Sequence, residues 1–583
     1  MSSLEELKYA VSCKGAVVEV DRQVDLEHEQ IEFAEKVILV LNAKLLNGTI
    51  VGNNTQIKAT IKPVFENISF KGTFSGQPLI SWFKLVTDER IDNAPEINSA
   101  LQLTALSSIK VLVLPKDGVF YVRSDIDYSK WRDFLRAGTI EIKSGVTLDM
   151  NGSTIQCLPN ASHQYNILFA RQADHISIKN GTIRGDCLSH TGASGEWGYG
   201  IELQGVSNFL LENLECSYCW GDGIDIQVSD DGDGVESSRT TQSGHCREGI
   251  INNVYCHDNL RQGMSVQGVI GLIVRNSRFS FSKGKNPQSG VDIEPYTSKN
   301  IVAHVYFDNC VFDNNYHSGL VMSGNSLYDI TIKNCVFYGN GGWELSLQGK
   351  NIRVKGCHGR EGYRNPTVRI LGDSKDILIS NSDLSSVYAQ GFVPGKHVND
   401  VVFKSCNFAW MGTMMSSGFS DDESLSSCDI KFNRCLFDFQ TGLFSDGNIV
   451  YQPNNENYQY YYQGCTFNMG GQRARLTNSQ VFYKCVFNDC SSCLYVASHV
   501  FTNHLLLRRC KIVGLSRDSF IYIYSPDDGA IIKADLQSTK FIKQSSRGFR
   551  VFSSSKNNEI EVIRINREYK NILTGRDDNI VLR

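Results

Sequence analysis

One phrase returns along most of this chain and limits what it can fold into: apolar-x-apolar-x-Asn-Cys-x-Phe. Clear copies are Ile330-Thr331-Ile332-Lys333-Asn334-Cys335-Val336-Phe337 and Val305-Tyr306-Phe307-Asp308-Asn309-Cys310-Val311-Phe312. Other segments aligned on these give a column at the Asn position: Asn180, Asn213, Asn253, Asn276, Asn309, Asn334, Gly356, Asn381, Ser405, Arg434, Gly464, Lys484, Arg509 and Ser538. One place on, a cysteine column reads Cys310, Cys335, Cys357, Cys406, Cys435, Cys465, Cys485 and Cys510. Two places further stands an apolar column that includes Phe279, Phe312, Phe337, Phe408, Phe437, Phe467, Phe487 and Phe541. Within each copy the apolar and polar residues alternate as in a strand.

The repeat is irregular. Asn253 and Asn276 stand 23 residues apart, Ser405 and Arg434 29, and the mean from Asn180 to Ser538 is about 28. A leucine-rich repeat would be more regular and would carry its own Leu-Asn signature. Short strands joined by variable turns predict an all-β chain, a right-handed parallel β-helix of about 14 coils stacked about 4.8 Å apart. The Phe and Cys columns are then inward ladders. The cysteines are expected to be buried fillers rather than disulfides or metal ligands. The Asn column fits a corner whose side chains hydrogen-bond along the stack.

The totals agree with a solenoid. The chain has 583 residues, more than one ordinary compact core holds. Hydrophobic residues at 41% and charged residues at 21% exclude a disordered chain. No apolar run is long enough to cross a bilayer. A formal net charge of -4 with no basic stripe argues against nucleic acid as a partner. The opening Met1-Ser2-Ser3-Leu4-Glu5-Glu6-Leu7-Lys8 has neither the basic nor the apolar region of a secretory signal.

Four regions are expected. Residues 1–85 form a small N-terminal β module, in which Lys44–Asn54 reads as short strands with Asn-Gly turns. Residues 86–137 form a lead-in segment, with a capped helix over Asp92–Leu101 that closes the open end of the solenoid. The β-helix runs over 138–545, and 546–583 form a C-terminal β cap or assembly segment.

A second phrase, Gly-apolar-acid-apolar-Gln/Glu, recurs as Gly200-Ile201-Glu202-Leu203-Gln204, Gly223-Ile224-Asp225-Ile226-Gln227, Gly263-Met264-Ser265-Val266-Gln267 and Gly290-Val291-Asp292-Ile293-Glu294. Gly319-Leu320-Val321-Met322-Ser323 and Gly342-Trp343-Glu344-Leu345-Ser346 align with it. If the aliphatic positions face the core, the acidic and Gln positions emerge on one exposed surface. Strands disfavour Asp, and like charges stacked across strands repel, so the pattern implies a use. Candidate catalytic carboxyls are Asp225, Asp292, Glu294, Glu202 and Asp222. Candidate substrate-binding residues are Arg261, Gln227, Gln262, Gln267, His317, Trp220, Tyr199, Tyr296 and Trp343. Extra residues at Cys187–Trp197 and Val228–Arg247 would wall a groove beside the ladder. Amides, carboxyls and flat rings together suit a sugar, which offers an apolar face and a rim of hydroxyls.

Asp225 and Asp292 are expected two coils apart, about 9–10 Å, which suits an inverting glycosidase pair. Such a hydrolase requires no cofactor. The enzymatic alternative is a lyase acting on uronic acids by β-elimination, for which the acidic ladder could hold Ca²⁺. Arg364-Asn365-Pro366-Thr367-Val368-Arg369 is similar to the Arg-x-Pro-x-x-Arg of pectate lyases, although their Trp-x-Asp-His element is missing. The third alternative is a glycan-binding spike or stalk without catalysis. Asp230-Asp231-Gly232-Asp233-Gly234 reads as an acidic turn.

The helix-then-strand lead-in and the Asn-rich coils resemble the pectate-lyase-like β-helix superfamily. In particular they resemble β-helix proteins of Bacteroides-type bacteria and their phages, tailspike depolymerases included. That resemblance implies a polysaccharide partner, a homotrimer, and a place on a phage tail, in a bacterial envelope or outside the cell.

Overall fold

The computed structural model describes residues 3–124, 140–229, 244–359, 367–385, 387–390, 397–409, 427–438, 458–468, 474–476, 480–490, 494–497, 502–514, 521–524, 531–535, 539–543, 551–553, 559–563 and 580–582. The chain divides into two compact units, Met1–Val305 and Tyr306–Arg583.

In the first unit, helix Leu4–Val11 precedes six strands between Val17 and Ser75, paired parallel throughout. The Asn-Gly turns expected in Lys44–Asn54 do not form a hairpin. Leu45–Ala59 is one strand lying parallel to Phe65–Ser75. Asn47 and Asn54 adopt φ of 48° and 53° within it, so these asparagines bend a continuing strand instead of reversing it. Helix Ala94–Leu106 follows, with Pro95 in its first turn and buried Asn93 as N-cap. The Asn93 amide bonds the backbone of Val86 and Tyr121. The helix buries Ile97, Leu101 and Leu103 and packs against Phe65–Ser75 and Ile140–Glu141.

Two parallel sheets then wind over 140–305. One contains Asp174–Arg184, Ser207–Ser217, Cys246–His257 and Val269–Arg275 in order. The other contains Ile140–Glu141, Gln164–Arg171, Trp197–Gln204, Asp222–Gln227, Gln262–Val266 and Val291–Ile293. Asn180, Asn213 and Asn253 take φ of 62°, 53° and 53° at a bend in the first sheet. There the Asn213 amide donates to Asn180 Oδ1 at 3.0 Å, and that of Asn253 to Asn213 Oδ1 at 2.8 Å. In the second sheet the glycines matter through close approach. A Cβ on Gly200 would sit 2.5 Å from the Gly223 carbonyl, and one on Gly263 2.5 Å from that of Gly290.

The second unit repeats the plan. Its column positions Asn309, Asn334, Gly356, Asn381, Ser405, Arg434, Gly464, Lys484 and Arg509 all have positive φ. The expected ladders are present. Phe312 stacks on Phe337 at 4.8 Å and 8°, and Phe408, Phe437, Phe467 and Phe487 stack in turn at 4.6–4.8 Å. Cys310, Cys335, Cys357, Cys406, Cys435, Cys465, Cys485 and Cys510 are buried free thiols. Cys435 and Cys465 donate to the carbonyls of Phe403 and Phe432, one coil back.

Candidate functional site

The strands of the second sheet in the first unit hold the acidic row in register. Glu202 stands opposite Asp225, Asp225 opposite Ser265, and Ser265 opposite Asp292. Gln204 pairs Gln227, and Asp222 pairs Gln262. Ile201, Ile224, Met264 and Val291 alternate with them and fill the core. The row therefore faces away from the core, as the pattern predicts.

It is not exposed, however, and this corrects the sequence reading. Asp222 and Asp225 are 0% exposed, and Glu202 and Asp292 4%. Tyr199, Gln204, Gln262 and Gln267 are buried too, while Gln227 is half-buried and Glu294 exposed. Alternation says which face a side chain takes and nothing about what lies over that face. The row's neighbours include Tyr199, within electrostatic reach of Asp225, Asp222 and Glu202, and Arg261, bonded to Asp222 and within reach of Tyr199, Tyr296 and Asp292.

Glu202 is bonded through both oxygens, the aspartates of the row through one each. Glu202 accepts from Asn166 and Gln204, both at 2.6 Å. Asp222 Oδ2 accepts from Arg261 at 3.0 Å and Ser265 at 2.6 Å. Asp292 Oδ2 accepts from Gln262 at 2.8 Å, and Asp225 Oδ2 from Gln227. Gln267 donates to the Tyr296 hydroxyl at 3.0 Å, and Tyr296 is 51% exposed. Among the described residues, Oδ1 of Asp222, Asp225 and Asp292 has no partner although each atom is buried. Leaving such an atom unsatisfied costs about 1–3 kcal/mol, and more if it is charged.

Burial raises all four carboxyls, to different extents. Asp225 is pushed well up by burial and then by the charges of Glu202 and Asp222. Asp292 is raised to about 7 by burial and by Glu294, with Arg261 opposing. In Asp222 burial wins over the Arg261 and Ser265 contacts. In Glu202 it wins over Asn166 and Gln204.

Beside the row lies a cluster that sequence reasoning missed. Buried Asp186 accepts from the backbone and side chain of Asn160 at 3.0 and 3.1 Å, from the Tyr165 hydroxyl, and from His190 Nδ1 at 2.9 Å. The His190 ring stacks on Trp220 at 3.9 Å and 16°, and Trp220 N donates to the Tyr165 hydroxyl at 3.2 Å. Gly198 permits this, because a Cβ there would lie 2.6 Å from the Tyr165 ring and 2.8 Å from Trp220 Cβ. Trp220 is thus a half-buried ring held from beneath. His190 lies in the Cys187–Trp197 segment, expected to wall a groove. Of the other wall, residues 230–243 lie outside the described residues, and so does the acidic turn Asp230–Gly234.

His317 and Trp343 belong to the second unit. His317 stands at the surface, its Nδ1 2.9 Å from Ser318 Oγ, and its imidazole is lowered by partial desolvation and by the Arg369 charge. Arg369 lies over the Trp343 ring at 5.3 Å. Arg364–Pro366 of the pectate-lyase-like motif lie outside the described residues. The register at Trp343 also differs from the aligned phrase. Ser346, not Glu344, stands opposite Val321, because the turn at Asn340–Gly342 shifts the pairing by two residues. Glu344 is instead bonded to Asn340 and raised to about 7 by burial. Among the described residues no group of three or more His, Cys, Asp or Glu side chains is arranged to hold a metal ion, and no helix is long and apolar enough to cross a membrane.

Comparison with known proteins fits this geometry. The family model described as "Right handed beta helix region" matches residues 167–358, which include the whole acidic row. The chain has the fold of the right-handed parallel β-helix superfamily. It is similar to the Bacillus subtilis protein YclG, at 22% identity over 64% of this chain and 69% of that one. It is also similar to the SPbeta prophage-derived protein YorA of B. subtilis, at 24% identity over 55% of this chain and 57% of the relative. Solved structures of similar fold include the A-module of Azotobacter vinelandii mannuronan C-5 epimerase AlgE4, with 14% identity, TM-score 0.41, 64% of this chain and 99% of that one. The catalytic domain of a GH87 α-1,3-glucanase gives 10% identity and TM-score 0.44, over 62% of this chain and 66% of that one. These two likenesses are of fold alone.

Proposed function

We propose that this chain is a carbohydrate-active β-helix protein that cleaves a polysaccharide by acid–base hydrolysis at the Asp222–Asp225–Asp292 row. One observation carries the reading: three neighbouring aspartates each keep a buried oxygen without a partner among the described residues. Nothing in the winding needs those atoms, and reacting groups or an activated water would satisfy them.

The environments divide the labour. Asp225, whose carboxyl is pushed well up by burial and by its acidic neighbours, is suited to donate a proton to the leaving oxygen. Asp292, raised to about 7, exchanges a proton at neutral pH and is suited to activate water. They stand two strand spacings apart, about 9.5 Å between Cα atoms, which suits inversion. Asp222, on the same strand as Asp225, is paired with Arg261. Sugar would approach at the edge where Gln227, Trp220 and Tyr296 reach solvent. The prophage-derived relative supports a phage setting.

The test is a panel of neutral and uronic polysaccharides. New reducing ends that disappear in Asp225→Asn and Asp292→Asn support hydrolysis at this row. Ultraviolet-absorbing unsaturated products would replace hydrolysis with elimination. Binding without either product would replace catalysis with recognition.

A further inference from the structure

In the second unit a cavity of about 310 Å³ is lined by Asn325, Lys350, Asp373, Ser374, Lys375 and Asn399. That is the lower end of the range of about 300–1,000 Å³ for small-ligand sites. The walls are built. Gln348 accepts from Gly324 N at 2.8 Å and donates to the Gly372 carbonyl at 2.9 Å, tying the two flanking turns together. Buried Ser374 donates to the Leu371 carbonyl at 2.6 Å.

The register stacks its charges. Lys350 stands opposite Lys375, and Lys375 opposite Asn399. Two ammonium side chains thus leave adjacent strands about 4.8 Å apart, an arrangement that destabilises a sheet when nothing neutralises it. Of the nearby acids, Asp376 is engaged by Arg353, with both contacts at 2.9 Å, and Asp373 lines the same cavity as the lysines. Among the described residues neither Lys350 nor Lys375 is in an ion pair, and both are exposed.

We propose that this cavity binds an anionic sugar unit, a ring bearing a carboxylate or a sulfate. The two ammonium groups would take the anion. The amides of Asn325 and Asn399 would take ring hydroxyls. A simple inorganic anion would leave those two amides unused. The site lies within the second unit and does not depend on the chemistry proposed for the acidic row.

The test is calorimetric titration of the full chain with four probes: trigalacturonic acid, its methyl ester, a sulfated neutral trisaccharide and inorganic sulfate. Trigalacturonic acid or the sulfated trisaccharide should bind, with affinity falling as salt rises. Whichever binds more tightly identifies the anion. The double variant Lys350→Gln/Lys375→Gln should weaken that binding at least about tenfold, and Lys350→Arg/Lys375→Arg should retain most of it. Asp225→Asn/Asp292→Asn should leave it unchanged, which separates this site from the acidic row. Equal binding of the methyl ester, equal binding of inorganic sulfate, or unchanged binding by the Gln variant would each overturn the proposal.

Discussion

Phe408, Phe437, Phe467 and Phe487 in the second unit, and Glu202, Asp225, Ser265 and Asp292 in the first, are both columns of side chains repeated coil upon coil. Stacking like on like rewards the first column and penalises the second. Each phenyl ring gains a parallel neighbour 4.6–4.8 Å away and loses nothing by burial. Each carboxyl loses water and meets another acid or an orphaned oxygen. A solenoid needs the first kind of column to exist. It has no need of the second, and so the second is where function is to be sought.

The largest expected effect tests that contrast directly. Asp225→Asn or Asp292→Asn should lower polysaccharide turnover by about 10²–10⁴-fold, the usual weight of a positioned acid or base, with unchanged circular dichroism. Turnover within about twofold of the parent would make the acidic column as structural as the aromatic one. Next in size, Phe312→Ala should cost about 3–5 kcal/mol in denaturant unfolding, because its ring is buried against Phe307 and Phe337. A loss below about 1 kcal/mol would show that ring stacking does not hold the coils.

A third measurement turns on pH. Asp292 rises from an ordinary 3.8 to about 7 in the folded chain. Between about pH 4 and 7 the folded chain keeps a proton that the unfolded chain has released, so this group's contribution falls as pH rises, by up to a few kcal/mol. The parent should therefore lose more melting temperature than Asp292→Asn between about pH 4.5 and about pH 7.5. Equal losses would remove the basis for treating Asp292 as poised near neutrality. The smallest effect concerns the corner. Asn213→Ala should cost about 1–2 kcal/mol, from a Cβ left in a left-handed conformation without its compensating amide. Asn213→Gly should cost less, and the reverse order would contradict the positive φ found there.

Much of the winding was legible because stacking leaves columns in the sequence. The Phe and Cys ladders could be read by alignment, and so could the face taken by Glu202, Asp225 and Asp292. Three things were not. The corner column contains Arg434, Lys484 and Arg509, which share no side-chain chemistry with Asn and share only a positive φ. The acidic row is buried, with Tyr199 and Arg261 among its neighbours, and periodicity reveals neither. Asp186 and His190 meet through a loop fold, and their only trace in sequence is a four-residue separation that carries no signal by itself.

The left-handed corner has one more consequence. Successive corners at Asn180, Asn213, Asn253 and Asn276 are separated by 33, 40 and 23 residues. Even so, Leu210 still meets Ile250, and Ile250 meets Ile273. Each turn of the winding is therefore re-zeroed at a fixed backbone mark, whatever the number of residues between one mark and the next. A chain built this way can gain or lose whole surface excursions while its stacking stays in phase, which makes it a ready chassis for grafted peptides.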